Sequence, residues 1–274
     1  MAGCGTEGAY APVINMRIAY TTALLLSTFS ACATDGTSTT VGDDQLAGEQ
    51  GDGEAAKADG TDTFGIYTAQ KIGAFECNGA GSCTHVALTR ANRSTTLCAD
   101  GTTKAACTVR TLDFSKLHLS STKLSSVMSK LQASASTPEI GAQLLVRGAY
   151  VHGTNPTAPS VDWVTFQVTE LWVAQLDNGT LDGTFVMIQD NNIRCITAPC
   201  PTLSEARVNS TRSLNIDGLD WNVDATQAPS SVQTKVNAAQ GDADGVIVTG
   251  FRTHDTTHPT ANYRSVEQVF LRVK

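Results

Sequence analysis

No stretch of this 274-residue chain is apolar for long enough to cross a bilayer as a helix. The longest run, Ile18 to Phe29, is about a dozen residues, where a span needs roughly 20. The chain also has no nucleophile elbow, phosphate-binding loop, dinucleotide fingerprint or H-E-x-x-H pair. It has no excess of positive charge either. Residues 63–274 hold seventeen acids and seventeen bases, so that part is neutral and lacks the cationic footprint of a nucleic-acid binder. These absences exclude a helical membrane protein and a nucleic-acid partner. They leave no catalytic residue and no cofactor to expect.

What is present starts with Cys32. Arg17 precedes the short apolar run, and Ser30-Ala31 stand just before the cysteine. A basic residue, a short apolar core and small residues before a cysteine are the pattern of a bacterial lipoprotein signal. Residues 1–31 are then the signal peptide. Translation is expected to start at Met16, because residues 1–15 carry Glu7 and no Lys or Arg. Phe29 replaces the usual Leu, and an ordinary cleaved signal with Cys32 as a bystander is the alternative. Ala33 after the cysteine points to the outer membrane, facing the periplasm or the cell surface. Residues 32–62 read as a lipidated, solvated tether. Eight acids and one base give it the whole net charge of −7, and only Val41 and Leu46 are sizeable apolar groups, too few to offset the entropy of ordering. A flexible chain of this length reaches about 30 Å.

Beyond the tether the chain repeats itself. Arg90-Ala-Asn92 answers Arg207-Val-Asn209, and Leu112-Asp113-Phe114 answers Leu219-Asp220-Trp221. Leu145 to Gly148 with His152 answers Ile247 to Gly250 with His254, and Val168 to Val173 answers Val266 to Leu271. Two β-rich repeats, 63–176 and 181–274, suit ordinary domain size. Each reads as β-β-β-α-β-β. One helix carries Leu124, Val127, Met128 and Leu131 on a face, with Ser120 or Ser121 as a cap. The other carries Val232, Val236 and Ala239 between Pro229 and Gly241. In the last strand Val164, Phe166 and Val168 alternate, but Leu171 and Val173 follow on the opposite parity, as they would across a β-bulge. The expected class is mainly β, as tandem small OB-like barrels, with two-layer α+β sandwich repeats as the alternative.

Six cysteines remain after Cys4 and Cys32. In an exported chain an even number implies disulfides, and pairing of neighbours gives Cys77–Cys83, Cys98–Cys107 and Cys195–Cys200. The run Ile193-Arg-Cys195-Ile-Thr-Ala-Pro-Cys200-Pro201, followed by Ala206-Arg-Val-Asn209-Ser-Thr, resembles a family of secreted bacterial lipoproteins built on a domain of unknown function. So does Ala91 to Thr95 with Cys98 and Cys107. The resemblance spans residues 63–274. It implies a periplasmic or surface lipoprotein and carries no activity, substrate or catalytic residue. Cys77-Asn-Gly-Ala-Gly-Ser-Cys83 departs from the Pro-Cys-Pro form.

His254 and His258 have the one remaining metal-like spacing, but in a loop that ends at Pro259, where solvent exposure is the simpler expectation. Arg90, Asn92 and Asp113 recur as Arg207, Asn209 and Asp220. Recurrence in both halves fits a fold-building role, such as satisfying buried backbone groups, better than acid–base catalysis. The expected function is a membrane-anchored, non-enzymatic interaction module of the cell envelope with a protein or cell-wall partner. Its contact would be the stapled loop Ile196, Thr197, Ala198, Pro199 and Pro201, since a pre-ordered loop loses little entropy on binding. A metal-dependent hydrolase using His254 and His258, and a purely structural envelope protein, are the alternatives.

Overall fold

The computed structural model describes residues 65–76, 82–136, 141–154, 162–177, 179–221, 228–254 and 260–274, all within one compact unit. The first half runs β1 (Ile66–Glu76), β2 (Ser82–Arg90), β3 (Thr96–Leu97), β4 (Thr103–Lys104), β5 (Cys107–Val109) and β6 (Thr111–Asp113). A 3-10 turn at Ser115–Leu117, helix α1 (Ser121–Ser136), β7 (Leu144–Thr154) and β8 (Asp162–Ala174) complete it. The second half runs β9 (Val186–Asp190), β10 (Leu203–Arg207), β11 (Ser213–Ile216), β12 (Gly218–Asp220), helix α2 (Ser230–Gln240), β13 (Val246–Thr249), β14 (Arg252–His254), β15 (Asn262–Ser265) and β16 (Gln268–Arg272).

The fold is mainly β, as expected, but the strands are more finely divided than β-β-β-α-β-β: six precede α1 and two follow it, and four stand on each side of α2. The main sheet has the order β11-β10-β9-β13-β16-β8-β7-β1-β2-β5, with β6 also paired to β8. A second sheet has the order β12-β15-β14, and β3 pairs β4. The sheets stay open rather than closing into two small barrels. The last residues of β8 pair β16, so the last strands of the two halves lie side by side in one continuous sheet.

The two halves also share their register. Tyr67 faces Val146 and Arg90, while Val186 faces Val248 and Arg207. Leu112 lies parallel-paired to Phe166, and Leu219 to Arg264. At the junction, Phe270 pairs Ala174, Leu271 pairs Val173 and Arg272 pairs Trp172. Matching residues by register makes Val173 and Leu271 equivalents that face each other, the arrangement of an isologous contact.

The bulge lies where the alternation slips. Arg147 pairs Glu170 and Gly148 pairs Val168, which leaves Thr169 as the extra residue of β8. The strand at the matching place in the second half breaks into β15 and β16. Glycine is required beside both sites. A Cβ on Gly148 would sit 2.0 Å from the Gln167 carbonyl oxygen, and one on Gly250 would sit 1.9 Å from that of Ser265.

Alternating residues divide the core among three clusters. On one sheet face, Leu144, Val146, Phe166 and Val168 pack with Val127 and Leu131 of α1, while Val186, Ile188, Val246 and Val248 pack with Val232 and Val236 of α2. The α1 stripe is narrower than its periodicity implies: Leu124 and Met128 are 37% and 47% exposed. Ser120 caps α1, its Oγ accepting the Lys123 N–H at 3.3 Å, and Pro229 and Gly241 bound α2. The other sheet face holds a shared core, with Ile66, Leu145 and Trp172 from the first half and Phe185, Ile247 and Phe270 from the second.

That shared core requires the sheet to curl. β1 and β9 stand five strand spacings apart, about 24 Å in a flat sheet, yet Ile66 and Phe185 meet in one cluster. Two asparagines in the left-handed region, Asn92 (φ 59°) and Asn209 (φ 60°), span the gap reciprocally. The Asn92 amide donates to the carbonyls of Phe185 (2.7 Å) and Val208 (2.9 Å), and its Oδ1 accepts the Phe185 N–H (2.9 Å). The Asn209 amide donates to the carbonyls of Ile66 and Ala91 (both 2.8 Å), and its Oδ1 accepts the Ile66 N–H (2.8 Å). Each half therefore satisfies backbone groups at the start of the other's first strand.

Candidate contact loop and a buried ion triad

The β9–β10 connection is built outward from Asp190. Its carboxylate accepts both guanidinium nitrogens of Arg194, at 3.0 and 2.6 Å, and the Asn192 N–H at 2.7 Å. The Arg194 contact first, and the Asn192 amide second, hold the Asp190 carboxyl below the usual carboxylate range. Asn191 ties the two sides of the loop together. Its Oδ1 accepts the Ile193 N–H (2.8 Å), its Nδ2 donates to the Pro201 carbonyl (2.7 Å), and its backbone N–H donates to the Thr202 carbonyl (3.1 Å). The Cys195–Cys200 disulfide closes the tip, and the Ala198–Pro199 peptide bond is cis. Residues 195–198 are exposed. Ile196 is fully exposed, at 104%. A sizeable apolar side chain thus stands in water on a base held by six named contacts and a covalent bond, with its apolar surface unburied.

A second constellation lies inside the second half. Glu205 on β10 and Arg264 on β15 are 3% and 0% exposed as side chains, and they form a bidentate pair: Nε to Oε2 at 2.8 Å and Nη2 to Oε1 at 2.6 Å. Arg264 Nη1 also donates to the Gly250 carbonyl at 2.9 Å. Arg252 on β14 joins from the rim, its Nη2 donating to Glu205 Oε1 at 2.7 Å. By register these three positions match Leu88, Phe166 and Tyr150 of the first half. There the same places hold an aliphatic side chain and a T-shaped aromatic pair with centroids 5.3 Å apart. The triad is absent from the sequence-based expectations. Its signal is the pattern Leu203-x-Glu205, which puts an acid on the inward parity of a strand.

The remaining expected residues divide by location. The disulfides Cys98–Cys107 and Cys195–Cys200 both form. Cys32, Cys77 and His258 lie outside the described residues, so the Cys77–Cys83 pair and the His254/His258 pair do as well. His254 ends β14 and is exposed. Among the described residues, no group of three or more His, Cys, Asp or Glu side chains is placed to hold a metal ion. Asp113 serves a turn: Oδ1 accepts the Ser115 N–H at 2.9 Å and Oδ2 the Gln167 amide at 3.3 Å, and these bonds, Ser115's first, lower its pKa.

No curated protein matches the chain. The sequence model of a family described as "Domain of unknown function (DUF6748)" matches residues 76–274. The chain belongs to that family.

Proposed function

We propose that this family member is a lipid-anchored protein of the bacterial outer membrane, built from two diverged copies of one β-β-β-α-β-β unit. It is a non-enzymatic interaction module, and its contact is the stapled loop carrying Ile196, Thr197, Ala198, Pro199 and Pro201. The supporting observation is Ile196 itself, held fully in water at the tip of a loop pinned by a disulfide. Isoleucine has no reason to be displayed in this way for stability. Burying it in a partner contributes about 1.5–3 kcal/mol, and the pinned loop gives up little freedom in doing so. The partner is a protein or a cell-wall component facing the same compartment, within reach of the acidic tether.

The test places a photo-crosslinking residue at 196 in intact cells, with the same residue at 214 as control, since Leu214 is also exposed. A discrete adduct from 196 only, competed by soluble protein but not by its Ile196→Asp variant, supports the proposal. No adduct, or equal adducts from both sites, refutes it. Mass spectrometry of the mature N-terminus tests the anchor separately, and an unmodified Ala33 start would overturn it.

A further inference from the structure

One cavity lies away from the loop. It has a volume of about 70 Å³ and sits between α1 and the strands of the first half. Its floor is apolar: Val86, Leu112, Phe114 and Leu131 are all buried. Its rim carries two cations, Lys71 and Arg110.

Neither cation is neutralised. The Lys71 ammonium touches the amide oxygen of Gln132, a neutral partner. The Arg110 guanidinium carbon lies 4.0 Å from the centre of the Trp163 ring, a contact with a neutral π-face that uses no N–H group and so suits a planar two-oxygen acceptor at those groups. Among the described residues neither forms an ion pair. The nearest acid in sequence, Asp113, is occupied by Ser115 and Gln167.

The fold itself does not need these charges. By register, Lys71 and Arg110 match Asp190 and Asp217 of the second half. Those acids have internal partners: Asp190 holds Arg194 and Asn192, and Asp217 accepts the Asn262 N–H at 2.7 Å. The first half carries the opposite sign at the same places, and among the described residues it meets those charges only with neutral groups. Met128, 47% exposed on the rim, adds a flexible apolar side chain that adapts to a ligand.

We propose that this cavity is a binding site for a small carboxylate with a short apolar tail, an alkanoate. The carboxylate bridges Lys71 and Arg110, and the tail lies on Val86, Leu112, Phe114 and Leu131. This site is independent of the contact loop.

The probe is hexanoate, titrated into the purified protein and followed by the Gln132 side-chain amide and Arg110 Nε–H signals in NMR. Saturable shifts are expected, with hexanol and hexylamine producing none. Lys71→Gln and Arg110→Gln should each weaken binding roughly tenfold or more while leaving the unfolding temperature near that of the parent. Three outcomes would overturn the proposal: no saturable shift, equal affinity in Arg110→Gln, or hexanol binding as well as hexanoate, which would make the cavity an apolar crevice only.

Discussion

Replacing the buried triad with its first-half counterparts separates two views of that triad. Glu205→Leu alone leaves Arg264, fully buried, with Nε and Nη2 stripped of their acceptors, and Arg252 loses its partner as well. Removing one member of a buried ion pair costs about 3–5 kcal/mol. At about 2–4 °C per kcal/mol for a body of this size, the unfolding midpoint should fall by roughly 6–20 °C. The triple variant Glu205→Leu, Arg252→Tyr, Arg264→Phe removes every charge at once and installs the Leu88, Tyr150 and Phe166 set. The Gly250 carbonyl then loses Arg264 but keeps the Thr184 N–H at 2.9 Å, so that acceptor is not orphaned. Such all-apolar replacements run from neutral to about 1–4 kcal/mol more stable. Urea unfolding of parent, single and triple variants, with the slope m compared to confirm a common transition, gives the measurement. A triple variant as unstable as Glu205→Leu would refute the equivalence of the two sites and the desolvation argument together.

Four further outcomes follow from the geometry. Asn92→Ala and Asn209→Ala should each cost on the order of 3 kcal/mol in chemical denaturation, because each strips partners from three backbone groups and forces Ala into the left-handed region. Gly148→Ala and Gly250→Ala should destabilise far more than Gly101→Ala. The first two Cβ atoms would strike carbonyl oxygens, whereas Gly101 has open space and only its φ of 74° to oppose the change; thermal melts of the three rank them. Removing Cys98–Cys107, whose cysteines are nine positions apart, should lower stability by about 2–3 kcal/mol, read as a shifted urea midpoint between the parent and a Cys98→Ala, Cys107→Ala variant, both without reductant. Asp100 is lowered from 3.8 to about 2, chiefly by the Thr102 hydroxyl and then the Thr102 amide. Its contribution is therefore present above the ordinary carboxylate pKa and lost as pH falls through about 2. An NMR titration of its carboxyl that gave an ordinary midpoint would contradict the turn geometry.

Much of the fold is written locally. The parity slip after Val168 marks Thr169 as the bulge, Pro229 and Gly241 bracket α2, and the spacing of Val127 and Leu131 finds the buried stripe of α1. Leu124 and Met128 satisfy the same helical period yet stay 37% and 47% exposed, because α1 meets the sheet through Val127 and Leu131. The joining of the halves was not legible. Nothing in Val173 or Leu271 announces that they face each other, since an edge strand reads the same whether water or another strand lies beside it. Asn92 and Asn209 could be suspected of satisfying backbone groups from their recurrence, but the groups lie 93 and 143 positions away. The stapled β9–β10 loop was visible from its cysteines and prolines. The triad was visible only as an acid on an inward parity, and its meaning depends on a register that no single strand contains.

The clasp at Ile66 also decides how the body meets a mechanical load. Any pull transmitted from the N-terminal side arrives at the first residues of β1, whose amide is gripped by Asn209 while Tyr67 lies between Val146 and Arg90. The force is shared at once between the two halves, so tearing the first strand away also means breaking the hold of Asn209 on Ile66.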